Sequence, residues 1–370
     1  MTFLDVVFYL FIFVVGIQVV FYIFFFGKFA FLKQKQEPPK NLPVSVIICA
    51  KNEARTLKQF LPSIISQDYP VFEIVLINDA SADKTLKVMK SFESLHDNIK
   101  VVDVKNIEAF WGNKKYALTL GIKVAKYDHL LFTDADCKPL SKYWISEMSS
   151  YFNETKTIIL GYGSYQKIKK SFLNKLIRFE TLLTAIHYFS FSTVGLPYMG
   201  VGRNLAYKKA EFFNANGFMN HMSIRSGDDD LFINQVATSK NTTICISKDS
   251  FTESIPETHF KNWLNQKRRH ISTAKHYKVI HKILLAVLYS SQLFFWLLAT
   301  TLLIVTFKWQ IVLCLLILRL FTQYLMIGFS TKKLGEKDVL YLLPLLEIFL
   351  IIIQLTIFIN NLISKPNHWK

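Results

Sequence analysis

The chain has 370 residues, with 44 Lys and Arg against 27 Asp and Glu for a net charge of +17; 51% of its residues are hydrophobic and 19% charged. That composition excludes a disordered chain, which is polar and cannot bury enough apolar surface to offset its conformational entropy. A mean hydropathy of +0.25 and 33 phenylalanines are too apolar for an ordinary soluble enzyme and too polar for a chain lying wholly in lipid, so membrane segments joined to a water-soluble domain are expected. Cys49, Cys137, Cys245 and Cys314 stand far apart without a C-x-x-C pair, which argues against a zinc site or a disulfide framework and for reducing surroundings. The basic residues are mostly Lys and spread along the chain rather than gathered in an arginine-rich stripe. Nucleic acid is therefore not the expected partner; membrane lipids and phosphate-bearing substrates are.

In chain order, Val6 to Phe26 is an uncharged, mostly apolar run of 21 residues. At about 1.5 Å per residue it spans the roughly 30 Å hydrocarbon core, which predicts a transmembrane helix within residues 1–32. A cleaved signal peptide is the competing reading, but the segment lacks a basic flank and a small-residue cleavage site. Pro38, Pro39 and Pro43 mark a linker into a domain at 41–282. There Val44 to Ala50 reads as a buried parallel strand, Thr56 to Ser66 as a helix, Glu73 to Asn78 as a strand and Ala82 to Leu95 as a helix. Lys100 to Asp103, the helix Lys114 to Ala125 and the strand His129 to Thr133 continue the alternation. Strand–helix alternation builds a parallel sheet with its ligand crevice at the strands' carboxyl ends.

Polar residues stand at those ends: Lys51-Asn52-Glu53, Asn78-Asp79 and Asp134-Ala135-Asp136. Neither a dinucleotide fingerprint nor a P-loop occurs, so a phosphate must be held by a metal or by basic side chains. Asp134 and Asp136, one small residue apart after an apolar strand, can offer oxygen ligands to Mg²⁺ or Mn²⁺ while substrate phosphates complete the shell. A solvated turn or helix cap is the plain alternative for a D-x-D.

Two stretches mix basic and apolar residues, Lys169 to Tyr188 and Lys261 to Ile283, as helices resting in the headgroup region do; a helix packed on the domain with a solvated Lys face is the other reading. Three further spans are expected within 283–364, at Ile283 to Phe307, Trp309 to Thr331 and Val339 to Ser364. Lys-bearing segments at Lys28 to Lys40 and at Lys332, Lys333 and Lys337 put the central domain in the cytoplasm by the positive-inside rule. Lys308 then stands in an outer turn, and Lys365 and Lys370 are mild contrary votes. Arg319 and Glu347 are the only charges inside the last two spans and are expected to pair across the hairpin.

Six runs occur in a fixed order: Val44 to Glu53, Ile77 to Ser81, Gly112 to Leu118, Phe132 to Asp136, Gly227 to Leu231 and Gln266 to His270. Together they resemble the membrane-bound family-2 glycosyltransferases over about Val44 to His270. The resemblance implies an α/β GT-A domain, Rossmann-like and nucleotide-sugar-binding, flanked by transmembrane helices. It also implies a nucleotide-diphosphate sugar donor, a divalent cation, inversion at the anomeric carbon and a lipid-linked or glycan acceptor at the cytoplasmic face of the inner (plasma) membrane. Carried across, it implies that Asp79, with Asn52 and Glu53 beside it, meets the nucleoside, that Asp134 and Asp136 form the metal and diphosphate motif, and that Lys114 contacts the donor. Lys114 is equally placed to be a plain surface residue of a helix's first turn.

Of Asp228, Asp229 and Asp230, the family's acidic pair aligns with Asp228 and Asp229, making Asp229 the general base and Asp230 the variable position. Like-charge neighbours would raise the base's pKa; a helix N-terminal acid cluster is the competing reading. Gln266 and Arg269 match the family's Q-x-x-R, with Arg269 stabilising the departing nucleotide diphosphate. His270 stands where the family's processive members carry Trp, which puts a processive polysaccharide synthase in doubt without excluding it; contact with an acceptor and a structural role are both open to this histidine. Gly200 to Asn204 is similar to the family's small-residue segment near the acceptor, or is a plain turn. A non-catalytic membrane scaffold is the reading from another class, and it predicts loss of the acids that are all present here.

Overall fold

The computed structural model describes residues 1–33, 37–105, 114–224 and 226–364. Gly112 and Asn113 of the third run, and Lys365 and Lys370, lie outside the described residues. The strands β1 (Val44–Ala50), β2 (Phe72–Asp79), β3 (Ile99–Val104) and β4 (His129–Phe132) are interleaved with the helices Ala54–Ile65, Thr85–Glu93 and Lys114–Val124. Each matches an element expected from the sequence, with ends shifted by a few residues as frayed termini allow.

These four strands are parallel in the order β3-β2-β1-β4, with Val44 opposite both Phe72 and His129. Strands β5 (Cys137–Pro139), β6 (Ile158–Leu160), β7 (Gly163–Tyr165), β8 (Leu205–Lys208), β9 (Thr242–Ile244) and β10 (Thr252–Ser254) complete the α/β architecture. The main sheet continues from β4 through antiparallel β8 and β6 to β9, and a small sheet runs β5-β10-β7. The continuous apolar runs follow from burial on both faces. Val46 and Ile48 of β1 join Ile74 and Leu76 of β2 in one core, while Ile47 joins Val75 and Ile77 in the other.

That second core does not end with the domain. It runs without a break through Leu176, Phe179 and Phe189 of the helix Phe172–Thr193 to Tyr22 and Phe29 of the first membrane helix and Leu346 of the last. Most of the stretch Lys169 to Tyr188 thus lies packed between the domain and the membrane helices. The helix Phe172–Thr193 is buried around its circumference, and ring stacks of Phe189 on Phe29 and His187 on Phe26 fix it to the first span. Its Arg178 is 2% exposed and pairs with Glu336, in the turn before the last span, and with Asp338 at 2.8 Å, in that span's first turn.

The stretch Lys261 to Ile283 is likewise pinned, broken into the helix Phe260–Ile271, a short turn at Ala274–His276 and the start of the second span. Arg268 binds the end of the last span through Asn361 Oδ1 at 3.1 Å and Ser364 Oγ at 2.8 Å, and Asn361 returns a bond to the Arg268 carbonyl.

Among the described residues, four helices are long and apolar enough to cross a membrane: Phe3–Ala30, Val279–Ile304, Trp309–Leu334 and Lys337–Ile363. Inside them Arg319 meets Glu347 through Nη1 to Oε2 at 3.0 Å and Nη2 to Oε1 at 2.5 Å, as expected for the hairpin. Gln18 of the first span and Gln323 accept further bonds from Arg319, and Trp296 of the second span donates to Glu347 at 3.2 Å. A guanidinium with every neighbour fixed is tolerable in lipid, whereas a lone charge is costly. Arg319→Glu and Glu347→Arg alone should each lower the yield of folded protein from membranes. The exchanged double variant should recover part of the loss when expression and thermal unfolding in detergent are compared; no recovery would mean that the two charges act separately.

Candidate active site

The carboxyl ends of β1, β2 and β4 form one wall of a cavity of about 430 Å³. Asn52 adopts a left-handed backbone with φ of 57°, which turns the chain out of β1; its Oδ1 accepts from Ala82 N at 2.8 Å and its own N–H donates to Ser81 Oγ. These bonds tie the loops after β1 and β2 together. Glu53 lines the cavity, with one oxygen accepting from Thr56 Oγ1 at 2.6 Å. Asp79 is 3% exposed, its pKa is raised by burial, and its Oδ2 has no hydrogen-bond partner. An orphaned buried acceptor at the cavity wall calls for a donor from a ligand.

Lys114 opens the helix Lys114–Val124, and that helix lies close to β2 because Gly121 faces Ile77; a Cβ at 121 would collide with the Ile77 side chain. The approach sets Lys114 Nζ 3.0 Å from Asp134 Oδ1 and 2.9 Å from Asp228 Oδ2. Burial opposes its charge, but Asp134 and Asp228 hold its pKa well above the ordinary lysine value, so it is a fixed cation rather than a plain surface residue. Ligand atoms of Asp134, Asp136 and Cys137 lie within 4.8 Å of one another. Two carboxylates on a tight turn fit a hard divalent cation; the Cys137 thiol is already hydrogen-bonded to Ser254 at 2.8 Å.

The acids after Gly227 are directed to different partners. Gly227 has a φ of 94°, a turn that β-carbon-bearing residues resist, and it launches the chain into the helix Asp230–Val236. Burial opposes ionisation of Asp228, but Lys114 wins and lowers its pKa. Asp229 accepts from Gly202 N at Oδ2 and from Asp230 N at Oδ1, both at 2.7 Å. Burial first, then the charges of Asp228 and Asp230, push its pKa up to about 7. Asp230 turns away from the cavity's polar centre to Tyr277 Oη at 2.6 Å and to Thr273, joining its helix to the turn ahead of the second span. The position expected to be the variable member of the triad is a buried structural anchor.

Opposite stands the helix Phe260–Ile271, from which Gln266, Arg269 and His270 all line the cavity. Gln266 Oε1 is buried without a partner, a second orphaned acceptor facing the same space. His270 is solvent-accessible and lines the cavity. Beyond it the cavity reaches Thr184, Leu285 and Gln354, the last two within membrane helices.

Several participants escaped sequence reasoning. Arg203 lies in the segment valued for its glycines; its guanidinium stacks on Tyr165 at 4.3 Å and lines the cavity beside Asp136. Lys267 pairs with Glu180 across the cavity's lower wall. Lys115, next to Lys114, is wholly buried, donates to the carbonyls of His221 and Ile224, and has its pKa lowered to about 8 by burial. Spacing alone does not tell the cation that faces the site from its neighbour that holds the loop.

Comparison with known proteins bears on the same residues. The family description "Glycosyl transferase family 2" matches residues 45–225, which include the strand ends and the D-x-D but stop short of the acids and the Gln266 to His270 run. A poly-beta-1,6-N-acetyl-D-glucosamine synthase of Staphylococcus epidermidis is 37% identical over 102 residues, 28% of this chain and 24% of the synthase. A 4,4'-diaponeurosporenoate glycosyltransferase of Staphylococcus aureus is 29% identical over 175 residues, 45% of each chain. The chain thus spans from about a quarter to under half of the length of these relatives. A mannosyltransferase from Pyrobaculum calidifontis, solved in complex with GDP-Man and Mn²⁺, superimposes with a TM-score of 0.55 at 17% identity, over 88% of this chain and 98% of that one. The likeness establishes the shared GT-A fold, here flanked by helices able to cross a membrane. Residues 45–225 thus carry a glycosyl transferase family 2 domain.

Proposed function

We propose that the protein is an inverting, metal-dependent glycosyltransferase that moves a sugar from a nucleotide-diphosphate donor to a lipid-linked or glycan acceptor at the cytoplasmic membrane face. The observation that carries the reading is the convergence of Asp79, the Lys114–Asp134–Asp228 bridge and Asp229 on one cavity that also holds Arg269. In this reading Asp79, with Glu53 at its side, receives donor groups of the nucleoside. Bound at Asp134 and Asp136, a Mg²⁺ or Mn²⁺ ion would neutralise the diphosphate. Asp229 takes the proton of the acceptor hydroxyl as that oxygen bonds to the anomeric carbon. The bond from that carbon to the diphosphate breaks on the opposite face, and Arg269 offers a fixed cation to the charge that the leaving nucleotide gathers.

Lys28, Lys332, Lys333 and Lys337 beside the spans support a cytoplasmic catalytic domain in the inner membrane. A polymerising version of the reaction is favoured by the similarity to the poly-N-acetylglucosamine synthase, and opposed by His270 in the place of Trp. Product length on a defined acceptor separates the two.

A base held near pH 7 sets the sign of the pH dependence. Asp229 must be ionised to accept a proton, so kcat/KM should fall as pH drops through about 7. Asp228→Asn removes one of the charges that raise it, and the acid limb of the rate profile should move to lower pH. Asp229→Asn should lower transfer on the order of 10²–10⁴-fold with nucleotide affinity near that of the parent protein. Activity of Asp229→Asn at the parent level, with Asp228→Asn or Asp230→Asn inactive, would assign the base elsewhere in the run.

The metal assignment is tested by calorimetry with UDP and GDP at saturating Mn²⁺. Asp136→Ala should weaken the metal-dependent binding by roughly tenfold or more, the worth of one charge-assisted contact. Equal affinity in variant and parent would remove Asp136 from the cation site.

A further inference from the structure

A second, open hollow of about 770 Å³ lies away from the catalytic cavity, where the catalytic domain meets the turn between the third and fourth spans. Lys167 and Lys248 reach it from the domain, and Lys332, Lys333 and Lys337 from the membrane hairpin, with Asp338 as the acid in its wall. Asp338 is already committed: it accepts from Arg178 at 2.8 Å and from Lys167 at 3.1 Å. Glu336 beside it is 2% exposed and is taken by Arg178.

Lys333 donates to the Leu32 carbonyl, and Lys167 also donates to the Gly335 carbonyl at 2.9 Å, which uses up the acceptor at the end of the third span. Lys248, Lys332 and Lys337 are exposed, and among the described residues none has a carboxylate within ion-pair distance. Three ammonium groups from two separate parts of the molecule thus face one hollow with their charge uncompensated.

The hollow's remaining wall is aromatic and faces the spans. Phe329, one turn back along the third span from Lys332 and Lys333, lines it and meets the tilted ring of Phe31 just past the first span, with ring centroids 4.9 Å apart. Both rings are exposed, at 42% and 53%. Cations and an exposed aromatic ring in the wall of one hollow, beside a second exposed ring just past the first span, match an object that is anionic at its head and apolar below it.

We propose that this hollow binds the headgroup of an anionic phospholipid from the leaflet next to the catalytic domain. The phosphate meets Lys248 from the domain and Lys332 and Lys337 from the hairpin, and the first acyl carbons lie along Phe329 and Phe31. The headgroup relieves the repulsion between two like-charged surfaces and so draws the domain onto the hairpin, beside the Arg178 contacts that already join them. None of this depends on the sugar-transfer chemistry.

Full-length protein in detergent, incubated with phosphatidylglycerol or phosphatidylcholine and read by native mass spectrometry, tests the site. The parent protein should retain phosphatidylglycerol in preference. Lys248→Gln/Lys332→Gln/Lys337→Gln should lose that preference, with affinity down roughly a hundredfold for three lysines at an anionic surface, and Lys248→Gln/Lys337→Gln roughly thirtyfold should the triple variant fold poorly. The charge-matched variant Lys84→Gln/Lys87→Gln/Lys90→Gln, on the far helix Thr85–Glu93, should bind as the parent does. Equal loss in the charge-matched variant, retention in the hollow variant, or displacement of the lipid by inorganic phosphate at the lipid's own concentration would each overturn the proposal.

Discussion

Three consecutive carboxylates at one cavity wall, Asp230 buried and Asp228 and Asp229 half-buried, are the constraint on which the rest of the arrangement depends. Asp228, Asp229 and Asp230 cannot all ionise cheaply in one crevice, and the chain meets this by giving each a different environment. Asp228 has the Lys114 ammonium, Asp230 has the hydroxyls of Tyr277 and Thr273, and Asp229 has backbone N–H groups alone. The unequal compensation is what separates their pKa values: Asp228 is held down, while Asp229 is left near 7. Groups whose environments drive their pKa values apart are the ones suited to acid–base work, and here the division comes from which neighbour carries a full charge.

The same tripeptide connects the parts of the molecule. Through Lys114 it reaches Asp134 and the D-x-D turn, through Gly202 it reaches the segment before β8, and through Tyr277 it reaches the start of the second span. Arg268 at the end of the last span and Arg178 at the turn before it add two further attachments. The catalytic domain is therefore not a soluble body on a tether. One continuous core contains Ile77 of β2, Phe179 of the domain and Leu346 of the last span, so a change in packing among the membrane helices reaches the cavity through side chains in contact.

Legibility in the sequence followed the range of the interaction. The four parallel strands were readable because burial on both faces forces an uninterrupted apolar run. Arg319 and Glu347 were readable because lipid makes an unpaired charge too costly to leave alone. The packing of Lys169 to Tyr188 was not readable, for the converse reason. Its lysines suggested a solvated face, but Arg178 is buried against acids some 158 residues away in sequence, and local periodicity contains nothing of such a partner. Lys114 and Lys115 show the same limit: adjacent lysines in one helix turn differ in function only because one meets Asp134 and Asp228 and the other meets two carbonyls.

The excess positive charge has two separate uses, and the difference lies in burial. Within the cavity Lys114 is bound to two carboxylates, Lys267 to Glu180 and Arg203 to the face of Tyr165, so these cations hold acids and rings in place more than they raise the local potential. Arg269 faces the same space from the opposite wall, on a helix fixed to the last span by its neighbour Arg268. Among the described residues Lys248, Lys332 and Lys337 have no carboxylate at ion-pair distance, and their field extends about a Debye length, some 8 Å at physiological ionic strength. A strongly basic chain can therefore keep a cavity rich in acids, because the compensated charges act over a bond length and the uncompensated ones face the bilayer.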